Sequence, residues 1–337
     1  MIKKQKIKVV WICHFTNEQI QNKLKVRKRI AEFAPWITIG INEARKRDDI
    51  ELHVVSPHRW ITGNQEFVID GINYHFFNSE IPLFGRHWPV FFRFDIISNF
   101  YFNKKKVRRF VDSIKPDIIH LHGFENAYYS SSILQFYNRF PILTTVQGFI
   151  SLSTIDGAKR KAIDYRIKIE KEIICSLKNF GVRTEKMKYE ILKYNNRAAF
   201  FWHEYFLNTP SEIETVPENE KKYDLIFFAS VAKDKGVEDL IIATGILAQE
   251  LPQIKTAIIG KANIDYLNSL KQLTVKNKCT KNIDFLGFLP KQEDVYQVLM
   301  SSKVCVLPTY NDVIPGTIIE SMNRGIPVVS YLSLIHI

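Results

Sequence analysis

Two carboxylates, Asp312 and Glu320, stand with seven residues between them around the peptide Pro315-Gly316-Thr317. Thr317 and Glu320 are three apart and so share one face of a helix, while Asp312 falls in the loop just ahead of it. A helix that begins at Pro315 loses nothing by the missing N–H. The unpaired N–H groups of its first turn, together with the helix dipole, would attract an anion. A diphosphate lodged there would have one acid on each side, each able to accept hydrogen bonds from hydroxyls. That is the chemistry of a nucleotide-sugar, with ribose at one end and hexose at the other. A capping Asp and a solvated Glu on an ordinary helix account for the same stretch, and short motifs are weak by themselves.

The elements that would position these groups can be read from the flanks. Val304–Leu307 is an apolar run of strand type, Pro308–Asn311 break it, Thr317–Arg324 read as a helix ended by Gly325, and Ile326–Tyr331 is a second buried strand. Upstream, strand and helix patterns alternate from Asp224: strand Asp224–Ala229, helix Val237–Glu250, strand Thr256–Ile259, helix Asp265–Lys276, strand Ile283–Leu286 and helix Glu293–Met300. The first half opens with strand Lys6–Cys13, helix Pro35–Lys46 and strand Ile50–Ser56. Around Asp70-Gly71 the residues Phe67–Phe77 read as a hairpin. Helix Asn103–Ile114, strand Ile118–Leu121, helix Ala127–Tyr137, strand Ile142–Val146, and helices over Ala158–Asn179 and Glu185–Lys193 follow. Alternation of this kind predicts an α/β fold of parallel sheets with helices on both faces. The polar, acidic interval Leu207–Lys222 holds two prolines and reads as a linker. The expected organisation is a domain over 1–206, a linker over 207–222 and a second domain over 223–337.

Three further places could carry chemistry. Lys235, in Lys233–Gly236 (KDKG), would face a phosphate as a point charge at the mouth of a parallel sheet, or would be a solvated turn lysine. Phe285-Leu286-Gly287 ends a strand at a glycine. His122 ends the strand of Pro116–Gly123 (PDIIHLHG), the end at which parallel sheets gather function, although a histidine there is often structural.

Composition sets the outer bounds. The chain has 337 residues, 46% apolar and 24% charged, which suits a soluble protein of two domains. No apolar run reaches membrane-spanning length, and Val9–Phe15 is too short and too polar for a signal peptide. The four cysteines lie far apart and read as scattered buried thiols, with neither a disulfide framework nor a zinc site, as in a cytoplasmic protein. The net charge of +12 is uneven: residues 1–210 carry +14 and residues 211–337 carry −2. Its densest parts are Lys23–Arg29 (KLKVRKR) and Lys104–Arg109 (KKKVRR), the latter beside many aromatics. Such a surface suits an anionic membrane face or a phosphorylated, lipid-linked acceptor. No nucleic-acid module is recognisable, so no nucleic-acid partner is expected.

The stretch D-V-I-P-G-T-I-I-E-S-M-N-R-G-I-P-V-V resembles the E-x7-E signature of the family-4 retaining glycosyltransferases. The resemblance is strong over residues 224–331 and looser over 6–205. It implies the GT-B fold, two Rossmann-like domains facing a cleft, with the nucleotide-sugar donor on the second and the acceptor on the first. It also implies transfer of a sugar to an acceptor hydroxyl with retention. Asp312 would contact the donor sugar, in place of the family's usual Glu. Glu320 would bind the ribose, and Gly316 and Thr317 would offer amides to the diphosphate. Lys235-Gly236 is similar to the end of the family's G-R-L-x-x-x-K-G, but Ser230 stands where the arginine belongs. Phe285 and Gly287 match the F-L-G loop whose backbone meets the nucleobase, and His122 matches a histidine near the donor sugar. Gln147-Gly148 falls where relatives often carry His-Gly, and His14–Asn17 replace the Gly-rich loop after the first strand. With no Asp-x-Asp pair, no cofactor and no metal are expected. The resemblance further implies surface polysaccharide or glycolipid synthesis, with peripheral contact at the inner face of the membrane. Relatives continue beyond the position of Ile337, so the second domain is expected to be truncated. A nucleotide-sugar 2-epimerase and a non-catalytic sugar-nucleotide or glycan-binding protein remain as alternatives.

Overall fold

The computed structural model describes residues 6–30, 32–80, 94–152, 160–203, 207, 216–310 and 315–331, with the backbone alone for 160–162. The chain divides into two units, Met1–Phe206 and Leu207–Ile337.

The first unit is built on an eight-stranded sheet: β1 (Ile7–Ile12), β2 (Ile50–His58), β3 (Asn64–Ile69), β4 (Ile72–Asn78), β5 (Ile118–His122), β6 (Ile142–Thr145), β7 (Asn179–Val182) and β8 (Ala199–Trp202). Their order is β3-β4-β2-β1-β5-β6-β7-β8. Every pairing is parallel except β3 with β4. That hairpin turns at Asp70 and Gly71, whose φ values of 48° and 79° are the paired positive angles of a type I′ turn. Asp and Gly tolerate those angles best, so the expected hairpin forms for the reason the dipeptide suggested.

Two elements of this unit depart from expectation. The helix expected over Ala158–Asn179 ends at Ser176, and Asn179 opens the strand β7; β8 was not expected either. Both strands have four residues, too few for a period of two to stand out beside a helical pattern. The helix expected over Ala127–Tyr137 is a single α turn, Ala127–Ser130, followed by a 3₁₀ stretch, Ser131–Gln135. Here Ser130 and Ser132 donate their hydroxyls to the carbonyls of Phe124 (3.0 Å) and Tyr129 (2.6 Å), drawing the backbone away from regular helix. The thiols also need a correction: Cys13, Cys279 and Cys305 are buried, but Cys175 is exposed.

The second unit holds a five-stranded parallel sheet of β9 (Tyr223–Phe228), β10 (Thr256–Ile259), β11 (Ile283–Gly287), β12 (Ser302–Leu307) and β13 (Val328–Ser330). Its order is β11-β10-β9-β12-β13. Side chains of successive residues leave a strand on opposite faces. Phe227 and Ile258 therefore enter one apolar cluster with Val237, Leu240, Leu270 and Ile318. Ile226, Phe228, Ala257 and Ile259 enter a second cluster with Val295, Leu299 and Ile326. Both faces are covered, which is why these strands read as unbroken apolar runs rather than alternating ones.

The loops at the carboxyl ends of β9 and β12 are pressed together. A Cβ on Gly236 would lie 1.9 Å from the carbonyl oxygen of Pro308, at a φ of +71°. Tyr310 N–H (2.9 Å) and the Thr309 hydroxyl (3.2 Å) both donate to the Asp234 carbonyl. Gly287 has the same φ of +71° but open space around it. Gly287→Ala should therefore cost only the left-handed penalty of about 1–2 kcal/mol. Gly236→Ala should add a backbone clash and cost about 3 kcal/mol or more. Urea unfolding of both variants checks this, and equal losses would contradict the close approach.

Candidate functional site

In an open parallel sheet the ligand crevice lies outside the carboxyl ends of the strands, where the strand order reverses. In the second unit the chain runs outward from β9 to β10 and β11, then returns to the other side of β9 as β12. The reversal is thus between β9 and β12. The loop after β9 carries Ser230, exposed, and Lys235, half-buried, on the 3₁₀ turn Lys233–Lys235. The helix that follows β12 is Gly316–Met322, starting one residue before and ending two residues short of the expected Thr317–Arg324, with Pro315 as its N-cap. Thr317 Oγ1 donates to the Phe228 carbonyl, the last of β9, at 2.6 Å. The Pro315 carbonyl accepts from the N–H groups of Ile318 (2.9 Å) and Ile319 (3.3 Å), which are used up. The N–H groups of Gly316 and Thr317 precede any carbonyl four residues back in the helix, so they are the ones a ligand could take.

The loop that carries Lys235 and the helix start at Gly316 and Thr317 thus both lie at the carboxyl edge of the sheet, where β9 and β12 end. Phe285 and Gly287 lie on β11, two strands from β9. The partly buried Phe285 side chain packs against the first cluster. Asp312 lies outside the described residues.

Glu320, one turn into the helix, is only 8% exposed. Its Oε2 accepts from Gln292 Nε2 at 2.8 Å, and the Tyr296 hydroxyl also bonds the carboxyl group. The Arg324 guanidinium lies 3.3 Å from the centre of the Tyr296 ring, and its Nη1 reaches the Glu320 carbonyl at 3.4 Å. Burial pushes the carboxyl up to about 7, against the opposing pull of Arg324 and the bonds from Tyr296 and Gln292. Gln292, Tyr296 and Arg324 were missed by sequence reading. Gln292 precedes Glu320 by 28 residues, and no local spacing signals the pair.

His122 belongs to the first unit, whose strand order reverses between β1 and β5, so it too ends a strand at a switch point. It is 5% exposed, with its ring 4.5 Å from Trp11 and 3.8 Å from His120 between centroids. Its Nε2 is buried without a hydrogen-bond partner among the described residues. Burial first, then His120, His203 and Arg183, hold its pKa well below the ordinary histidine range. The imidazole is therefore neutral at pH 7 and can orient a hydroxyl but cannot serve as a cationic acid. A carboxyl missed by sequence reading stands near it in sequence: Glu125, pushed up to about 7 by burial, closes over Gly123 together with Gln147 Oε1. Among the described residues no group of three or more His, Cys, Asp or Glu side chains is placed to hold a metal ion, and no helix is long and apolar enough to cross a membrane.

Glu320 gives a pH test with a defined sign. Its pKa is about 7 in the fold against an ordinary 4.5, so the group favours the fold fully below pH 4.5 and that contribution is lost as pH rises through 7. At pH 8 the cost is at most about 3 kcal/mol. Glu320→Gln should raise the melting temperature by roughly a few degrees at pH 8, and the gain should fade towards pH 4.5. A variant no more stable at pH 8 would contradict this.

Residues 208–333 match the family model described as glycosyl transferases group 1. Among curated proteins none is similar enough in sequence to match. Among solved structures, the chain is similar to sucrose-phosphate synthase from Thermosynechococcus elongatus, at 13% identity and a TM-score of 0.68, covering 96% of this chain and 81% of that one. It is similar to Anabaena HepE in complex with UDP and glucose, at 14% identity and a TM-score of 0.61, covering 96% and 80%. A third similar structure, trehalose-6-phosphate from E. coli bound with UDP-2-fluoro glucose, has 14% identity and a TM-score of 0.64, covering 96% and 83%. The chain has the GT-B fold of these glycosyltransferases, and its second unit carries the match to glycosyl transferases group 1.

Proposed function

We propose that this chain is a retaining glycosyltransferase of the family-4 type, which moves a sugar from a nucleoside-diphosphate-sugar to an acceptor hydroxyl. The observation that supports the reading is the bond from Thr317 Oγ1 to the end of β9, which ties the helix start to the strand whose following loop carries Lys235. The donor diphosphate would lie against those amides and the Lys235 ammonium, without a metal. Glu320 would accept from the ribose hydroxyls, the backbone at Phe285 and Gly287 would meet the base, and Asp312 and His122 would bond hydroxyls of the transferred sugar. UDP and glucose in the HepE structure, and glycosyl transfer with retention in the description of a trehalose-6-phosphate synthase structure, support a UDP-sugar donor and retention.

In the reaction the bond from the anomeric carbon to the leaving phosphate oxygen breaks while the acceptor oxygen bonds the same face of that carbon. The acceptor proton passes to the departing phosphate, whose charge Lys235 offsets. No carboxylate nucleophile is needed. The acceptor would bind the first unit, whose basic surface suits an acceptor in polysaccharide or glycolipid synthesis at the inner face of a membrane.

Thermal shift with UDP-, GDP- and ADP-sugars should single out one donor class. Glu320→Ala should then lower transfer by about two orders of magnitude, as loss of one preorganised polar contact does. Unchanged turnover and donor affinity would reject the ribose role. Donor binding without transfer would favour a binding protein, and an epimerised donor in the absence of acceptor would favour a 2-epimerase.

A further inference from the structure

The basic run Lys23–Arg29 is held in a fixed shape. The Gln21 amide clamps Ile30 at both its N–H (2.9 Å) and its carbonyl (2.8 Å), Arg27 N–H donates to the Trp60 carbonyl (2.8 Å), and Lys25 N–H donates to Gln65 Oε1 (3.3 Å). Its charges, by contrast, are not neutralised. Arg27 donates to Thr62 Oγ1 (3.1 Å) and Arg29 to Asn22 Oδ1 (2.5 Å), both uncharged acceptors. Among the described residues, no carboxylate lies within ion-pair distance of Arg27, Lys28 or Arg29; the adjoining Arg59 pairs with Glu80 at 2.7 Å. Two cations lie near the half-exposed Trp60 indole, Lys28 Nζ at 5.8 Å and the Arg59 guanidinium at 4.8 Å from its ring centre. The run follows β1 and Arg59-Trp60 follow β2, so the cluster sits on the carboxyl edge of the sheet that His122 also ends.

We infer that this cluster is a binding site for an anionic saccharide, whose acid group is taken by Arg27, Lys28 and Arg29 while a sugar ring lies against Trp60. Cations fixed by the backbone but lacking acidic partners are ready for an acid from outside, and guanidinium forks match carboxylate and phosphate alike. The indole offers a sugar an apolar surface with a polar tip. A membrane fits less well, because the aliphatic side chains here turn inward: Leu24 is 2% and Ile61 1% exposed, and Val26 is half-buried. A nucleic acid would call for a series of stacking aromatics along the cationic track, whereas Lys23–Arg29 holds none and Trp60 reaches it from beyond β2. The site deepens the reading of the first unit as the acceptor side, and rests on that reading for its place in the reaction, though not for binding itself.

Titration calorimetry on the full chain tests it with four probes: tetragalacturonate, glucose 6-phosphate, uncharged maltotetraose and a single-stranded oligonucleotide. Binding of one of the two acidic saccharides but not of maltotetraose is expected, and which one binds tells carboxylate from phosphate. Arg27→Ala with Arg29→Ala, and separately Trp60→Ala, should each weaken it at least about tenfold, with Trp60→Phe restoring part of the loss. Equal binding of maltotetraose, tighter binding of the oligonucleotide, or full affinity in the double variant would overturn the site. The UDP-sugar thermal shift should be unchanged in these variants. Its absence in the native chain would defeat the glycosyltransferase reading while leaving saccharide binding standing.

Discussion

The second unit depends on how closely two loops approach at the carboxyl edge of its sheet. The Thr317 hydroxyl reaches the last carbonyl of β9, the Asp234 carbonyl receives two donors from the loop after β12, and Gly236 leaves no room for a Cβ beside Pro308. These contacts pair the backbone carbonyls of Phe228 and Asp234, which gives them a structural value independent of any ligand. They also hold the start of a short helix and the loop that carries Lys235 at one edge of the sheet. Packing makes the approach possible, since Ile318 of that helix is anchored in the same apolar cluster as Phe227 and Val237.

Glu320 shows the tension between fold and chemistry. A carboxyl that titrates near 7 is poorly solvated, and burying its charge weakens the fold above that pH. An ordinary helix of this length would gain by replacing it. Gln292, Tyr296 and Arg324 are arranged around that acid, and under the proposed donor-binding role its use lies with the ribose rather than with the fold.

Much of the fold was legible in the sequence because local rules and global fold agree. The Asp70-Gly71 pair dictated its turn, the apolar runs of the second half became strands covered on both faces, and helix Val237–Glu250 starts just past a glycine that only a positive φ explains. What stayed hidden was short or non-local. The four-residue strands β7 and β8 carry no period to detect. The short helix Glu18–Lys23, where no element was expected, is capped by the side chain of Asn17, whose Oδ1 accepts from Ile20 N–H. Of the candidate site, linear spacing singles out residues within one βαβ stretch. Gln292 against Glu320, Trp60 against Lys28, and the closing of Glu125 over Gly123 are made by tertiary contact, and linear spacing does not encode them.

The central claim is that a nucleoside diphosphate lodges where β9 and β12 end, against the first turn of the helix Gly316–Met322. Labelling glycine nitrogens alone and following their amide signals while UDP is added tests this most directly. The account predicts that Gly316 shifts strongly with saturable dependence on UDP, while Gly40, Gly63 and Gly71 of the first unit stay still. A saturating UDP titration that leaves the Gly316 amide unmoved would contradict it.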